Sequence, residues 1–198
     1  MELILASSSA RRFELLNEAG FVFRVINPAE VEAQTSQIAP SAAEQARSLA
    51  LAKARSVAPK QTSKAIILGA DTVVSLGKHI IGKARNQDHA RQILTMLSGT
   101  THQVITALAL LEIPVGRCLV EHEATSLTMA KLSAEQIEEY LDTGPWQGKA
   151  GAYAIQENDA FILKIDGSFS NVVGLPLELL ERMLRDFLPV KSMREIKR

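Results

Sequence analysis

The stretch Leu3-Ile4-Leu5-Ala6-Ser7-Ser8-Ser9-Ala10-Arg11-Arg12 carries four apolar residues straight into three hydroxyls and two guanidinium groups. The apolar part reads as a buried strand. Phe13, Leu15, Leu16 and Ala19 continue as the apolar positions of a helix, so strand hands over to helix inside the hydroxyl triplet. The first turn of a helix leaves backbone N–H groups without partners and carries partial positive charge. Phosphate oxygens placed there gain hydrogen bonds and a favourable field together. Guanidiniums beside the turn add fork-shaped donors suited to phosphate. A lone serine is explained by helix capping and a lone arginine by solvation. All of them within six residues after a buried strand predict a phosphate-binding turn.

Gly20 supplies a helix stop, and Phe21-Val22-Phe23-Arg24-Val25-Ile26 reads as a second strand ending at Asn27-Pro28. Ser41 with Glu44 three residues on is a capping box, opening an alanine-rich helix to about Val57. Ala42, Ala46, Leu49, Ala50 and Val57 share one face of that helix, with Lys53 inside the same stripe. Such a lysine either snorkels at the edge or aims its ammonium into a cleft. Ala65-Ile66-Ile67-Leu68-Gly69 is the short continuous apolar run of a strand buried on both faces. It is expected to end at Ala70-Asp71-Thr72, before Val73-Val74 resumes a strand that turns at Leu76-Gly77-Lys78-His79. A helix from about Asp88 to Leu97, long antiparallel strands over Gln103 to Glu112 and Arg117 to Met129, and a helix capped by Ser133 follow. Trp146 to Gln156 reads as a loop, Ala160 to Ile165 as a strand, and Leu177 to Phe187 as a closing amphipathic helix. Strands and helices alternate without a repeat or a linker. The fold expected is therefore mixed α/β, one unit over residues 1–198, with long central strands. The basic tail over residues 191–198 is expected to be frayed and solvated.

At 198 residues and 46% hydrophobic, the chain has ample material for a core. Its formal net charge is zero, so duplex nucleic acid is not an expected partner, whereas a small anion held by a local basic cluster is. The single cysteine, Cys118, can form no internal disulfide, which fits a reducing cytoplasm. With Val115, Leu119 and Val120 as neighbours it reads as a buried strand thiol. No secretory signal pattern and no apolar run of about eighteen residues appears, so no membrane is expected either.

Local structure leaves several polar residues unexplained: Ser7, Ser9, Arg11, Arg12, Glu32, Lys53, Asp71, Lys83, Lys149 and Gln156. Cations for phosphates and carboxylates for a metal are the mixture phosphoryl and nucleotidyl chemistry needs, because charge spreads over phosphate oxygens in the transition state. Asp71 could hold Mg²⁺, deprotonate an attacking water, or do both. His102 has no nucleophile pattern nearby and reads as structural. Trp146 and Tyr153 read as packing. The glycines form neither a dinucleotide fingerprint nor a Walker loop.

The blocks Leu5-Ala6-Ser7-Ser8-Ser9-Ala10-Arg11-Arg12, Gly69-Ala70-Asp71-Thr72, Gly82-Lys83, Leu97-Ser98-Gly99, Gly148-Lys149-Ala150-Gly151-Ala152-Tyr153-Ala154-Ile155-Gln156 and Val173-Gly174-Leu175-Pro176-Leu177 resemble the Maf family of nucleoside triphosphate pyrophosphatases, in family order across nearly the whole chain. The resemblance implies an inosine triphosphate pyrophosphatase-like fold: an elongated, twisted mixed sheet flanked by helices, with two lobes and a central cleft. It also implies a divalent cation, Mg²⁺ or Mn²⁺, a homodimer, and hydrolysis between the α and β phosphates to a nucleoside monophosphate and pyrophosphate. Asp71 would be the base. Ser9, Arg12, Lys53 and Lys83 would be phosphate ligands, with Ser7 and Lys149 beside them, and Glu32 would join Asp71 at the metal. The three places where subfamilies differ read Arg11, Thr72 and Gln156, which resembles the branch acting on dTTP and UTP. Gln156 can donate to and accept from a uracil-type ring. The family usually has proline where Ala10 and Ala84 stand, and neither change removes a functional group. The expected substrates are dTTP, UTP and modified pyrimidine triphosphates, and the expected role is surveillance of nucleotide pools. A nucleotide-binding regulator of cell division with vestigial hydrolysis is the alternative.

Overall fold

The computed structural model describes residues 1–29, 41–61, 63–155, 161–189, 192 and 195–197. Strand β1 (Glu2–Ala6) leads into helix α1 (Ala10–Glu18) and strand β2 (Phe23–Ile26). Helix α2 (Ala42–Val57) and a 3₁₀ turn (Ala58–Lys60) precede β3 (Ala65–Leu76) and β4 (His79–Ile81). Then come α3 (Gln87–Leu97), β5 (Thr101–Ile113), β6 (Cys118–Met129) and α4 (Ala134–Asp142). The chain closes with β7 (Ile162–Asp166), the short α5 (Phe169–Val173) and α6 (Leu177–Phe187). Among the described residues the strands form one seven-stranded sheet in the order β2-β1-β3-β5-β6-β7, with β4 also on β3. β1 pairs parallel with β2 and β3, and the remaining pairings are antiparallel.

Alternation along β1 explains the layering. Leu3 and Leu5 face Leu16 of α1 and the apolar side of α6, whereas Ile4 and Ala6 face Ala46, Ala50 and Ala54 of α2. A strand buried on both faces must be apolar throughout, which is why Leu3-Ile4-Leu5-Ala6 contains no polar residue. A second lobe is built on the far halves of β3, β5 and β6. There Val74, Val104, Leu127 and Met129 pack with Ile93, Leu94 and Leu97 of α3 and with Ile137, Tyr140 and Leu141 of α4.

Three expectations are corrected. β3 does not stop at Asp71: its ladder with β5 runs unbroken from Ala65 opposite Ile113 to Ser75 opposite Gln103, so Asp71 sits mid-strand. Cys118 is exposed, not buried, because it opens β6 where β7 provides no cover, β7 pairing only with Ser126–Met129. Of the tail expected to fray, the described residues 195–197 dock instead. Ile196 is fully buried, its carbonyl accepts from Val22 N at 2.9 Å, and Lys197 bridges to Phe21 and pairs with Glu181. Apolar packing and backbone hydrogen bonds outweigh the formal charge of the tail.

His102 and Trp146 behave as read. The indole Nε1 donates to Leu141 O at 3.2 Å. His102 is 2% exposed, with Nε2 2.8 Å from the Tyr153 hydroxyl oxygen and the rings edge to face. Burial pushes the imidazole down to about 4 from 6.5 and pushes the Tyr153 hydroxyl up. Because the unfolded chain takes up this proton first as pH falls, the stability is fully present above pH 6.5 and is lost toward pH 4. Between about pH 7 and pH 5.5 the urea unfolding free energy should fall by roughly 1 kcal/mol from this group. His102→Gln should abolish that part of the slope, and an identical slope in the variant would contradict the assignment.

Candidate active site

Along the edge of β3 opposite β5, β1 covers Ala65 to Gly69 and β4 covers Val74 to Leu76. Ala70, Asp71, Thr72 and Val73 therefore have no ladder partner on that edge among the described residues. β1 ends at the same level, and the chain leaves it through Ser7-Ser8-Ser9 into α1 on one face, while α2 covers the other. Crevices at such points, where consecutive connections go to opposite faces beyond the carboxyl end of a strand, are the usual ligand sites of open α/β sheets. Here a cleft of 780 Å³ opens, within the range that takes a small-molecule ligand.

Nine of the residues singled out from sequence line this cleft: Ser7, Ser9, Arg11, Arg12, Lys53, Asp71, Thr72, Lys83 and Lys149. Glu32 and Gln156 lie outside the described residues. Five of the nine are cations, and Asp71 is the sole carboxylate among the described lining residues. Such a wall favours a polyanion.

The lysine question on α2 is resolved toward the cleft. Lys53 is 8% exposed and Asp71 6%, and the ammonium lies 2.6 Å from Asp71 Oδ1. The close approach of α2 to β3 makes this reach possible. A Cβ on Gly69 would sit 2.1 Å from Ala50 O and 2.9 Å from Ala54 N, so only a glycine lets the helix backbone lie this close. The small residues Ala46, Ala50 and Ala54 complete the contact and are all fully buried.

Arg12 does more than line the turn. Its Nε donates to Gly174 O at 2.8 Å, Nη1 to Ala70 O at 2.9 Å and Ser7 Oγ at 3.5 Å, and Nη2 to Thr72 Oγ1 at 3.0 Å. One guanidinium thus joins the start of α1, the edge of β3 and the end of α5, and it supplies a donor to the Ala70 carbonyl on the uncovered edge. Ser9 caps α1, accepting from Arg12 N, and no acidic residue stands in the first turn. On the opposite rim Lys83 forms an isolated antiparallel bridge with Ala150, and Gly151 N donates to Gly82 O at 3.1 Å. The Lys149 ammonium hydrogen-bonds Pro145 O within its own loop.

Sequence reading missed the polar layer beneath this floor. Asn171, fully buried on α5, donates to Val104 O at 2.9 Å and Thr125 Oγ1 at 2.8 Å and accepts from Thr106 N at 3.2 Å. Thr106 Oγ1 donates to Asn171 O and lies 2.9 Å from Thr72 Oγ1. An asparagine between apolar residues in Phe169-Ser170-Asn171-Val172-Val173 was the available signal.

Residues 2–187 match the sequence profile of the family described as Maf-like protein. The chain belongs to the Maf-like family. Relatives of this Maf-like protein align over most of both chains. The dTTP/UTP pyrophosphatase of Ruminiclostridium cellulolyticum is 41% identical over 183 residues, 92% of this chain and 94% of that one. That of Brucella abortus is 42% identical over 191 residues, 93% and 91% of the two chains. That of Symbiobacterium thermophilum is 46% identical over 187 residues, 94% of each. A solved structure of the Staphylococcus aureus Ham1 protein overlaps it at TM-score 0.49 and 13% identity, covering 94% of this chain and 99% of that one.

The helix–strand contact gives this Maf-like site a direct test. Gly69 does not have a left-handed φ, so alanine there should stabilise by up to about 1 kcal/mol if backbone freedom decided the outcome. The overlap with Ala50 O predicts the opposite sign, a loss of about 3 kcal/mol in chemical unfolding as α2 is forced off β3. Unchanged or raised stability of Gly69→Ala would contradict the close packing.

Proposed function

We propose that this chain hydrolyses dTTP and UTP to the nucleoside monophosphate and pyrophosphate. The observation that carries the proposal is the cleft itself, which cations from four separate segments line together with Asp71. The naming of its relatives as dTTP/UTP pyrophosphatases supports the choice of nucleotide.

In this reading the triphosphate lies against the start of α1, held by Ser9, Lys53, Lys83 and Lys149, while Arg12 holds the turn in shape. Asp71 accepts a proton from the attacking water. The water oxygen bonds to the α-phosphorus as the bond to the α–β bridging oxygen breaks, and pyrophosphate departs with that electron pair. Lys53 holds the Asp71 carboxylate in place and balances its buried charge. Arg11, Thr72 and Gln156 read the base.

A divalent cation completes the proposal. Among the described residues no three His, Cys, Asp or Glu side chains cluster as a metal cage. A single cleft carboxylate still fits Mg²⁺ or Mn²⁺, which commonly sits on one or two carboxylates together with substrate phosphates. Asp71 would hold it, joined by Glu32, and when bound it neutralises charge on the phosphates. Homodimeric assembly and cytosolic residence belong to the same proposal. The single exposed thiol of Cys118 and the lack, among the described residues, of a helix long and apolar enough to cross a membrane are compatible with it.

Pyrophosphate release from a panel of nucleoside triphosphates tests this. Release from dTTP and UTP, lost on chelation of divalent ions, is expected. Asp71→Asn, verified as folded by circular dichroism, should lower kcat by at least about 100-fold. Unchanged turnover in that variant would remove Asp71 from its role, and binding of nucleotide without any pyrophosphate would favour a regulator.

A further inference from the structure

Beneath the cleft, hydrogen-bond donors and acceptors run in one direction only. The Asn171 amide is oriented without ambiguity: Val104 O can only accept and Thr106 N can only donate, so Nδ2 must face the first and Oδ1 the second. This pins α5 across β5 and β6 and delivers the Asn171 main-chain oxygen to Thr106 Oγ1 at 2.9 Å. A carbonyl oxygen only accepts, so the one hydroxyl proton of Thr106 is used there. Thr106 Oγ1 can then meet Thr72 Oγ1, 2.9 Å away and directly opposite it in the β3–β5 register, only as an acceptor. Thr72 therefore donates its own proton inward, while Arg12 Nη2, which can only donate, takes one of its lone pairs at 3.0 Å.

From this polarity we infer that Thr106 and Asn171 are positioning residues that fix the Thr72 hydroxyl as a hydrogen-bond acceptor toward the cleft, selecting a nucleoside that presents a donor. Gly174 keeps that side of the hydroxyl open. A Cβ there would lie 3.4 Å from Thr72 Oγ1 and 3.6 Å from Arg12 Nε. A phosphate, acceptor only, gains nothing from such an oxygen. Two donors on a nucleotide fit it: the imide N–H of a uracil-type ring and a sugar hydroxyl. This rests on the proposed hydrolysis of dTTP and UTP, which share the imide N–H and the 3′-hydroxyl and differ at the 2′-hydroxyl; of the shared donors only the imide sets them apart from cytosine nucleotides, so the imide is the donor assigned. Cytosine, with a ring acceptor at the same position, is refused.

Calorimetric binding of nucleoside monophosphates tests the inference without requiring turnover. UMP and 2′-deoxy-UMP should bind alike, with CMP and N3-methyl-UMP weaker by about tenfold or more. Thr106→Val keeps the shape but frees the Thr72 proton to turn outward. It should shrink the UMP-to-CMP preference by about tenfold, and Thr106→Ser, which restores the hydroxyl, should return it. Asn171→Ser, which no longer bridges Val104 and Thr125, should act in the same direction. Equal loss of affinity for every nucleotide in Thr106→Val would reduce Thr106 to a structural part and overturn the inference. So would N3-methyl-UMP binding as tightly as UMP while 3′-deoxy-UMP is weakened, since that assigns the donor to the sugar, or no measurable binding of UMP. Failure of the wild type to release pyrophosphate from UTP would instead overturn the proposed hydrolysis, with these affinities still readable.

Discussion

Four consecutive residues of the central strand, Ala70 to Val73, have a sheet neighbour on one edge only among the described residues, and the arrangement of the cleft follows from that gap. A strand edge inside a protein presents backbone groups that must be satisfied. Arg12 meets part of this requirement by donating to Ala70 O, and in doing so it ties the phosphate turn to the strand. A guanidinium suits the task because its donors radiate in a plane, reaching a carbonyl on α5, a carbonyl on β3 and two hydroxyls at once. An ammonium at the same position would be a point charge without that spread.

Electrostatics set the second constraint. Lys53 and Asp71 are both nearly sequestered from solvent, and a buried ion pair of this kind is weak evidence for stability, because desolvation offsets much of the attraction. Its value lies in placement: removing either partner leaves a charge uncompensated, so both are held where the cleft needs them. Gly69 and the alanine stripe of α2 are the means by which the sequence brings the lysine within 2.6 Å. The remaining cations come from α1, from the end of β4 and from the loop before Gly151, and the antiparallel bridge between Lys83 and Ala150 joins the last two.

Much of this was legible in the chain because the signals were local. Leu3 to Ala6 and Ala65 to Gly69 are apolar without alternation, which only a doubly covered strand tolerates, and Ser9, Ser41 and Ser133 mark helix starts by the spacing of their caps. Asp71 stands out by its position after a buried run, yet the apolar pattern alone implies that the run ends there. Only the long pairing with β5, a partner some forty residues away, shows that it continues. The tail misleads for a related reason: its lysines and arginines outweigh Ile196 in composition, whereas the docking of residues 195–197 rests on that buried side chain and the backbone hydrogen bond beside it. The Thr72–Thr106–Asn171 relay was out of reach, since three polar residues from three elements acquire meaning only when a sheet register sets two of them opposite each other. Subfamily position Thr72 could be named from resemblance. What its hydroxyl can offer could not.

The claim on which the rest depends is that a triphosphate lies across the open edge of β3. The most direct measurement is a crystal structure of the protein with a non-hydrolysable α,β-imido analogue of UTP. The phosphates should lie beside Asp71, with the α-phosphoryl group within about 3 Å of the Lys53 ammonium or the first backbone N–H groups of α1, with Asp71 on the side from which water attacks, and with the base toward Thr72. A nucleotide seated elsewhere, with this edge and the Lys53–Asp71 pair untouched, would contradict it.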